Sequence, residues 1–390
     1  MSPVRKRTKI AFLAATLPAM GIVCLFLNCA EKKSPVKIGF VSSLTGKQSD
    51  LGIPARNAVM LAVKEKNQQG GLLGRPIVLL VKDDRYDPET AVKVDRELID
   101  SGVVAIIGHV TSSMSEAVLP LINEKKMLMI SPTTASSRLA GIKDYFFRMF
   151  EPVRASAGQL AELAFRKHSV KTMAAVYDLA NEAYAADYFE SFRSAYEQVG
   201  GRMVQTQTFA SGQVGGFLHL AEKMKGSNPD GVLVVAGGLD TALICQQIAK
   251  LSWHPALFAS PWSMTNDVIK HGGRSVDGIL SIIPLNPDDD SPPYQAFRDK
   301  FRAEFGQQPG FSAVCAFEAA TALFTAYEQA GGDVANLPRT LLAIRKFPGL
   351  QGDVVIDEYG DAKRKGFITT VQDGRMIRVR ERNEGTPAAQ

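Results

Sequence analysis

The sequence contains few histidines and cysteines, and none of them stands in a metal-binding pattern. Of its four cysteines, Cys24 and Cys29 lie in the N-terminal segment, while Cys245 and Cys315 lie in apolar helical patterns, which predicts buried thiols rather than a disulfide. No HxxxH or HExxH spacing occurs, so we expect no metal site and no cofactor. The five histidines are widely spaced: His109, His168, His219, His254 and His271.

Motifs of common enzyme classes are also missing. Six residues rather than four separate Gly39 from Gly46-Lys47, and Gln48 follows where a phosphate loop needs Ser or Thr. Gly237-Gly238 lacks the rest of a dinucleotide-binding fingerprint, and no Gly-x-Ser-x-Gly nucleophile elbow is present. We therefore predict a binding protein rather than an enzyme.

Residues 1–28 are typical of an export signal. Four basic residues precede an apolar run from Ile10 to Leu27, although an uncleaved membrane anchor could have a similar run. Phe26-Leu-Asn-Cys29 resembles a bacterial lipoprotein cleavage site only in part, because Asn28 is larger than the usual residue. We expect Cys29 to be lipidated, and the mature chain to lie in the periplasm or on the extracytoplasmic face of the membrane.

Charge gives little information about partners once that segment is set aside. Removing its four basic residues lowers the formal net charge from +5 to +1. No basic run with interleaved aromatics remains, so nucleic-acid binding has no electrostatic support. The remaining chain is long enough for two ordinary domains.

Apolar runs and helical patterns alternate along residues 36–235. This alternation predicts parallel sheets covered by helices. The series restarts near Glu151-Pro152, which indicates an α/β fold of two similar doubly wound lobes. The predicted strands are Val36–Val41, Ile77–Lys82, Val103–Ile107, Met127–Ile130, Thr172–Tyr177, Met203–Thr208 and Gly231–Val235. Residues 286–293 are predicted to be a turn-rich connector.

Two of these strands, Val103–Ile107 and Met127–Ile130, are each followed by small hydroxyl residues. The carboxyl ends of parallel strands line a crevice. Ser112 and Ser113 precede a predicted helix, whose free N–H groups would attract an anion such as a carboxylate. The alternative is that Ser112 is only an N-cap and that residues 131–137 form only a loop.

Several short segments together carry a resemblance to the bacterial leucine/isoleucine/valine-binding proteins, the extracytoplasmic receptors of amino-acid ABC importers. The resemblance covers Val36 to about Arg378. Its segments are Ile38-Gly-Phe-Val-Ser-Ser-Leu-Thr-Gly46, Asn67-Gln-Gln-Gly-Gly-Leu-Leu-Gly74, Asp83-Asp-Arg-Tyr-Asp-Pro88, Gly108-His-Val-Thr-Ser-Ser113, Ile130-Ser-Pro132 and Pro348-Gly-Leu-Gln-Gly352.

The resemblance implies two lobes joined by three crossings, with the ligand in a cleft that closes by hinge bending. The N-terminal lobe would contain residues 36–150 and 285–347. The C-terminal lobe would contain residues 151–284 and 348–380, followed by a disordered tail, residues 381–390.

The resemblance also assigns ligand contacts. The serine that corresponds to Ser112 binds the α-carboxylate at a helix end, and Ser113 follows it. Thr133 and Thr134 match a loop that supplies backbone groups and a hydroxyl, whereas Ala135 replaces a hydroxyl-bearing residue. Tyr184 matches a tyrosine that closes over the ligand, and apolar wall positions are occupied by Leu51 and Phe311.

The largest departure from the family pattern is at Pro261-Trp262, where branched-chain receptors have a glutamate that pairs with the ligand ammonium. Asp240 could replace that carboxylate, with Trp262 adding a cation–π contact or a wall. Alternatively, Asp240 is the N-cap of a helix that begins at Thr241, and the ligand is a carboxylic acid or amide without an amine.

The function implied is capture of a small amino acid, branched-chain or otherwise apolar, by a monomer that delivers it to ABC permease subunits. A ligand-sensing module that signals to a regulatory partner is an alternative, which neighbouring genes for permeases and ATPases would decide. An exported hydrolase is another, and it would turn over candidate amides.

Overall fold

The computed structural model describes residues 34–46, 48–212 and 216–380. The predicted export signal, Cys29 and the predicted tail lie outside the described residues. Two large sheets organise the described chain, and each has helices on both faces, which confirms the predicted α/β class with two doubly wound lobes.

The first sheet is all-parallel, with strand order β2-β1-β3-β4-β5. Its central strands are buried on both faces, as the apolar sequences of such strands require. The strands are β1 (Val36–Ser42), β2 (Ile77–Asp83), β3 (Ile106–Ile107), β4 (Met129–Ser131) and β5 (Phe146–Arg148). Its helices are α1 (Ser49–Gln68), α2 (Pro88–Asp100) and α3 (Ser112–Lys125).

The second sheet has the order β15-β14-β10-β9-β8-β6-β7, and only β14 and β15 run antiparallel to their neighbours. Its strands are β6 (Thr172–Asp178), β7 (Arg202–Phe209), β8 (Gly231–Val235), β9 (Ala256–Ala259), β10 (Leu280–Ile283), β14 (Phe367–Gln372) and β15 (Arg375–Arg378). Its helices are α4 (Val153–Glu162), extended by a π-helical turn to Lys167, α5 (Glu182–Gln198), α6 (Leu218–Gly226), α7 (Gly238–Lys250) and α8 (Asn266–Gly272).

Three later helices, α9 (Pro292–Phe305), α10 (Phe311–Gln329) and α11 (Leu337–Ile344), follow the second lobe in sequence. α10 packs against α1, β3 and β4, so it covers the first sheet. Its alanine-rich sequence is buried on most sides, which suits a helix held between other elements. α9 also packs against α1, and α11 packs against α10, so this segment lies with the elements of the first sheet.

A third, small sheet lies where the chain returns from the first lobe to the second. It contains β11 (Lys346–Phe347), β12 (Val354–Ile356) and β13 (Ala362–Lys363). The predicted lobe boundary after Phe347 falls inside this sheet. Gly360 accepts a hydrogen bond from the Arg148 amide, and Asp361 binds the Arg148 guanidinium at 2.7 Å, so this segment lies beside β5.

Two predicted boundaries that involve prolines were wrong. The helical pattern of the sequence predicts a helix from Arg56 to Gln68, but α1 begins at Ser49. It includes Pro54, because only one internal N–H is lost there. Gly52 permits this start, since a Cβ at that position would lie 2.0 Å from the Ser43 carbonyl oxygen. α9 begins at Pro292, so the two prolines of the predicted connector form the first turn of a helix, where proline is favoured.

Candidate functional site

A narrow cavity lies between the two lobes. Both lobes contribute walls, and the first crossing between them contributes Phe150. The residues that line the cavity are Leu51, Val110, Thr111, Ser112, Thr133, Phe150, Asn181, Tyr184, Pro261, Trp262 and Phe311.

The polar wall of the first lobe is formed where β3 ends and α3 begins. Thr111 is the N-cap residue of α3, but its side chain makes no capping bond. Its hydroxyl oxygen is buried and has no hydrogen-bond partner among the described residues. The Ser112 hydroxyl oxygen accepts bonds from the amides of Ala135 and Ser136, both at 3.2 Å, which leaves its own proton free to be donated.

A buried charge cluster holds the loop that leads to this wall. His109 lies between Asp84, at 2.7 Å from Nδ1, and Asp95, at 3.3 Å from Nε2. Burial alone would lower the pKa of His109, but the two carboxylates outweigh it and raise the pKa to about 10. The imidazolium therefore stays charged at neutral pH. The Ser131 hydroxyl donates to the His109 carbonyl at 2.6 Å and ties the loop to β4.

The second lobe supplies an aromatic wall. The rings of Tyr184 and Trp262 meet edge to face, with centroids 5.7 Å apart. The Tyr184 hydroxyl is buried and makes no well-formed hydrogen bond to any residue that the structure describes. Burial raises the pKa of this phenol, so Tyr184 remains a hydrogen-bond donor throughout the physiological range.

Hydrogen bonds join the lobes on two sides of the cavity, so the cleft is closed. We call the first side the α1 rim, in which Trp262 Nε1 donates to Gln48 Oε1 at 3.1 Å and the Thr265 hydroxyl donates to Asp50 Oδ2 at 2.6 Å. The α1 rim connects the start of α1 to the segment that follows β9.

The opposite side, the α5 rim, joins the start of α3 and the loop after β4 to the start of α5. The Ser113 amide donates to Asn181 Oδ1 at 3.1 Å, and the Ser113 hydroxyl oxygen accepts from the Ala183 amide at 3.3 Å. Arg138 forms a salt bridge with Glu182 at 2.8 Å. One of the first N–H groups of α3 is therefore occupied by the opposite lobe.

The structure brings six of the predicted site residues to the cavity and leaves four outside its lining. The Thr134 hydroxyl bonds to the Ser115 hydroxyl at 2.6 Å, and the Ala135 amide donates a hydrogen bond to the Ser112 hydroxyl oxygen. Ser113 joins the lobes in the α5 rim. The fourth residue outside the lining is Asp240. The six that line the cavity are Leu51, Ser112, Thr133, Tyr184, Trp262 and Phe311.

Asp240 has a partner of its own. Its Oδ2 accepts a hydrogen bond from the Ser211 hydroxyl at 2.5 Å. The alternative in which Asp240 is an N-cap was wrong, because α7 begins at Gly238 and Gly237 occupies the cap position. Asp240 thus lies in the first turn, where the helix dipole favours a negative charge.

Sequence reasoning missed Val110, Thr111, Phe150 and Asn181. Thr111 and Val110 adjoin Ser112, and the run of hydroxyl residues was a usable signal for Thr111. Asn181 is the N-cap residue of α5 and lies three residues before Tyr184, and both side chains line the cavity. Phe150 lies at a crossing between lobes, and no local pattern in the sequence marks such a position.

The cavity is apolar over most of its surface and polar at one end. Among the described residues that line it, none carries a charged side chain. Thr111, Ser112, Thr133 and Asn181 supply the polar groups, next to the N-terminus of α3. Such an arrangement suits a small solute with an apolar body and a single anionic group.

Two α/β lobes closed over a lined cleft define a ligand-binding protein of the hinge-closing class. The chain belongs to the periplasmic binding protein family, whose sequence model matches residues 35–375. Members of this family are binding proteins of the extracytoplasmic space. Over the described ranges, no helix is long and apolar enough to cross a membrane.

Three relatives illustrate the similarity. The leucine-, isoleucine-, valine-, threonine- and alanine-binding protein of Pseudomonas aeruginosa is 24% identical, over 88% of this chain and 91% of that protein. The solved leucine-binding protein of Thermotoga maritima has a TM-score of 0.82 at 24% identity, covering 88% of this chain and 98% of its own. A solute-binding protein of an ABC transporter from Rhodopseudomonas palustris was solved with 3,4-dihydroxybenzoic acid. Its TM-score is 0.80 at 23% identity, and the similarity covers 89% of this chain and 96% of that chain.

The two cysteines among the described residues, Cys245 and Cys315, are buried and free, as predicted. Burial raises the pKa of both Cys245 and Cys315 to about 12, so neither thiol ionises near neutral pH. Such thiols are inert packing groups rather than nucleophiles.

Proposed function

We propose that this protein captures a small apolar solute bearing a carboxylate, foremost a branched-chain or other small apolar amino acid, and delivers it to an ABC importer. The names of its relatives support this reading, since the Pseudomonas protein is named for five aliphatic or small amino acids. The closed cleft supports capture rather than turnover, because both lobes enclose the cavity.

The observation that carries the proposal is the polar end of the cavity. The Thr111 and Ser112 hydroxyls lie at the start of α3, where the helix dipole favours a negative charge. Each hydroxyl has a proton that the surrounding structure does not require. A ligand carboxylate placed there would accept charge-assisted hydrogen bonds, which are roughly twice as strong as neutral ones.

A second candidate ligand is a carboxylate without an ammonium group. No acidic side chain belongs to the described cavity lining. The resemblance to branched-chain receptors also implies that Trp262 replaces the glutamate that pairs with the ligand ammonium in those proteins. An ammonium group would therefore depend on the faces of Trp262 and Tyr184 and on polar oxygens. The Rhodopseudomonas protein, which was solved with a dihydroxybenzoic acid, illustrates an amine-free ligand on this fold.

The experiment compares leucine with two analogues that each lack one charged group: 4-methylpentanoate, without the ammonium, and 3-methylbutylamine, without the carboxylate. A thermal-shift screen, followed by calorimetry, measures binding of each, because a bound ligand raises the melting temperature by mass action. We expect the amine to bind at least tenfold more weakly than the better of the two carboxylates. Equal binding of the amine would contradict the carboxylate site.

The comparison of leucine with 4-methylpentanoate separates the two candidates. Tighter binding of leucine favours the amino acid and an ammonium contact, for which Asp240 remains a candidate if the cleft rearranges. Tighter binding of 4-methylpentanoate favours the amine-free ligand. A broader screen of amino acids and aromatic carboxylates then identifies the side chain that fits.

We also propose where the two lobes hinge and how the protein is held at the membrane. The lobes would hinge at the three crossings near residues 150, 285 and 347–366, and Ser113 would act as a closing contact rather than a ligand contact. Capture would then shift the open and closed populations by the contacts made to the second lobe. We further propose a monomer anchored through a lipid on Cys29, which replacement of that cysteine by alanine would release into the soluble fraction.

A further inference from the structure

Asp50 places a carboxyl group between the two lobes. It is the second residue of α1, and its Oδ2 accepts the Thr265 hydroxyl of the second lobe at 2.6 Å. A Cβ built at Gly238 would lie 3.2 Å from the same oxygen, so the backbone at the start of α7 also lies against it. The other oxygen, Oδ1, is buried and makes no well-formed hydrogen bond to any of the residues described.

The charged group that faces Asp50 from the second lobe has the same sign. Asp267, in the first turn of α8, repels a negative Asp50. Thr265 and the N–H groups at the start of α1 favour the carboxylate, and Gly238 contributes no side chain. The described structure shows no salt bridge to Asp50, in contrast to Glu182 in the α5 rim, which pairs with Arg138.

We infer that closure of the cleft takes up a proton at Asp50, so that ligand binding is tighter at mildly acidic pH. This inference rests on the proposed function, because it concerns the closing step of that same cleft. Opening separates Asp50 from Thr265 and α7 and returns the carboxyl to water. Closure buries it next to Asp267 with one oxygen lacking a well-formed hydrogen bond, an arrangement that a neutral carboxyl tolerates much better than a charged one.

The direction of the pH dependence follows from the two states. Burial is the largest influence and raises the pKa of Asp50 from its ordinary value of 3.8 to about 7 in the closed form. In the open form, we expect the pKa to lie near the ordinary value. Between the two values, the open form is ionised and the closed form is protonated, so affinity falls as the pH rises towards 7 and levels off above it.

The experiment is calorimetry with the tightest ligand of the screen, from pH 5.5 to 8, in pairs of buffers with different ionisation enthalpies. We expect about tenfold tighter binding at pH 6 than at pH 8 and uptake of close to one proton per ligand at pH 6. In Asp50→Asn, the affinity should be flat over this range and the proton uptake should disappear. Circular dichroism checks that the variant is folded.

Two further variants serve as controls. Asp187 also contacts the opposite lobe, through the Ser137 amide at 2.5 Å, so Asp187→Asn should keep the pH dependence even if its affinity is lower. Asp267→Asn removes the like charge and should shift the transition to lower pH. It tests the inference even if Asp50→Asn does not fold.

The outcomes distinguish the inference from the proposed function. Normal ligand binding without proton uptake in the wild type, or with uptake unchanged in Asp50→Asn, would overturn the inference and leave the proposed function intact. Failure to bind any carboxylate at any pH would overturn the proposed function itself.

Discussion

The contact between Trp262 and Gln48 in the α1 rim and the salt bridge between Arg138 and Glu182 in the α5 rim differ in how much water reaches them. In the α1 rim, Gln48 and Trp262 are only 2% and 4% exposed. In the α5 rim, the side chains of Arg138 and Glu182 are 45% and 48% exposed. A salt bridge so exposed contributes little, because water and salt screen it, whereas a buried hydrogen bond is costly to break. The contact between Trp262 and Gln48 should therefore contribute more to closure than the salt bridge between Arg138 and Glu182.

Replacing Trp262 should have the largest effect, because this residue belongs both to the cavity wall and to the α1 rim. Trp262→Ala removes the aromatic wall against Tyr184 and leaves Gln48 Oε1 without its donor. We expect ligand affinity to fall by about 2 to 4 kcal/mol, the range of a binding hot spot. Isothermal titration calorimetry measures this loss.

Two variants refine the Trp262 prediction. Trp262→Phe keeps an aromatic ring but removes the bond to Gln48, so it should lose only about 1 kcal/mol. Trp253 is half-buried in a separate apolar cluster of the second lobe, and Trp253→Ala should leave affinity unchanged. Full affinity in Trp262→Ala would argue against the proposed closure.

Ser112→Ala should have the next largest effect. It removes a hydroxyl that lines the polar end of the cavity and supports the amides of Ala135 and Ser136. We expect affinity to fall by about 1 to 3 kcal/mol through the lost charge-assisted bond. Ser115→Ala is the matched control, since that buried serine lies outside the lining, and an equal loss there would indicate a general effect on α3.

Arg138→Ala should have the smallest effect. The exposed pair with Glu182 is expected to contribute less than about 1 kcal/mol to closure. Ligand affinity of the wild type and of the variant should converge as salt is raised from about 0.1 M to about 1 M. A loss as large as that of Trp262→Ala would contradict this ranking of the two contacts.

Sequence patterns were sufficient for seven strands of the two large sheets and for Ser112 in the first-lobe wall. Buried parallel strands have apolar sequences such as Gly231–Val235, and the hydroxyl run after Ile107 marks the start of α3. These signals are local, because one strand end and one helix start lie within a few residues of each other. The position of Ser112 at the start of α3 could accordingly be predicted before any contact was known.

The second-lobe wall and the rims were harder to predict, because they depend on closure. The contact between Gln48 and Trp262 joins residues 214 positions apart, and Asp50 is buried against Thr265 and Gly238, which are also distant in sequence. Asp240 is a residue for which the local pattern predicted too much. Its position at a strand end suggested a ligand contact, yet its partner is Ser211.

The most direct test of a carboxylate site at the start of α3 is calorimetry with the tightest carboxylate ligand and its primary amide, on the wild type and on Ser112→Ala. The amide keeps the shape of the acid but lacks its negative charge. We predict that the wild type binds the amide at least about tenfold more weakly, about 1.4 kcal/mol, and that the variant discriminates less. Equal affinity of the wild type for acid and amide would contradict the account.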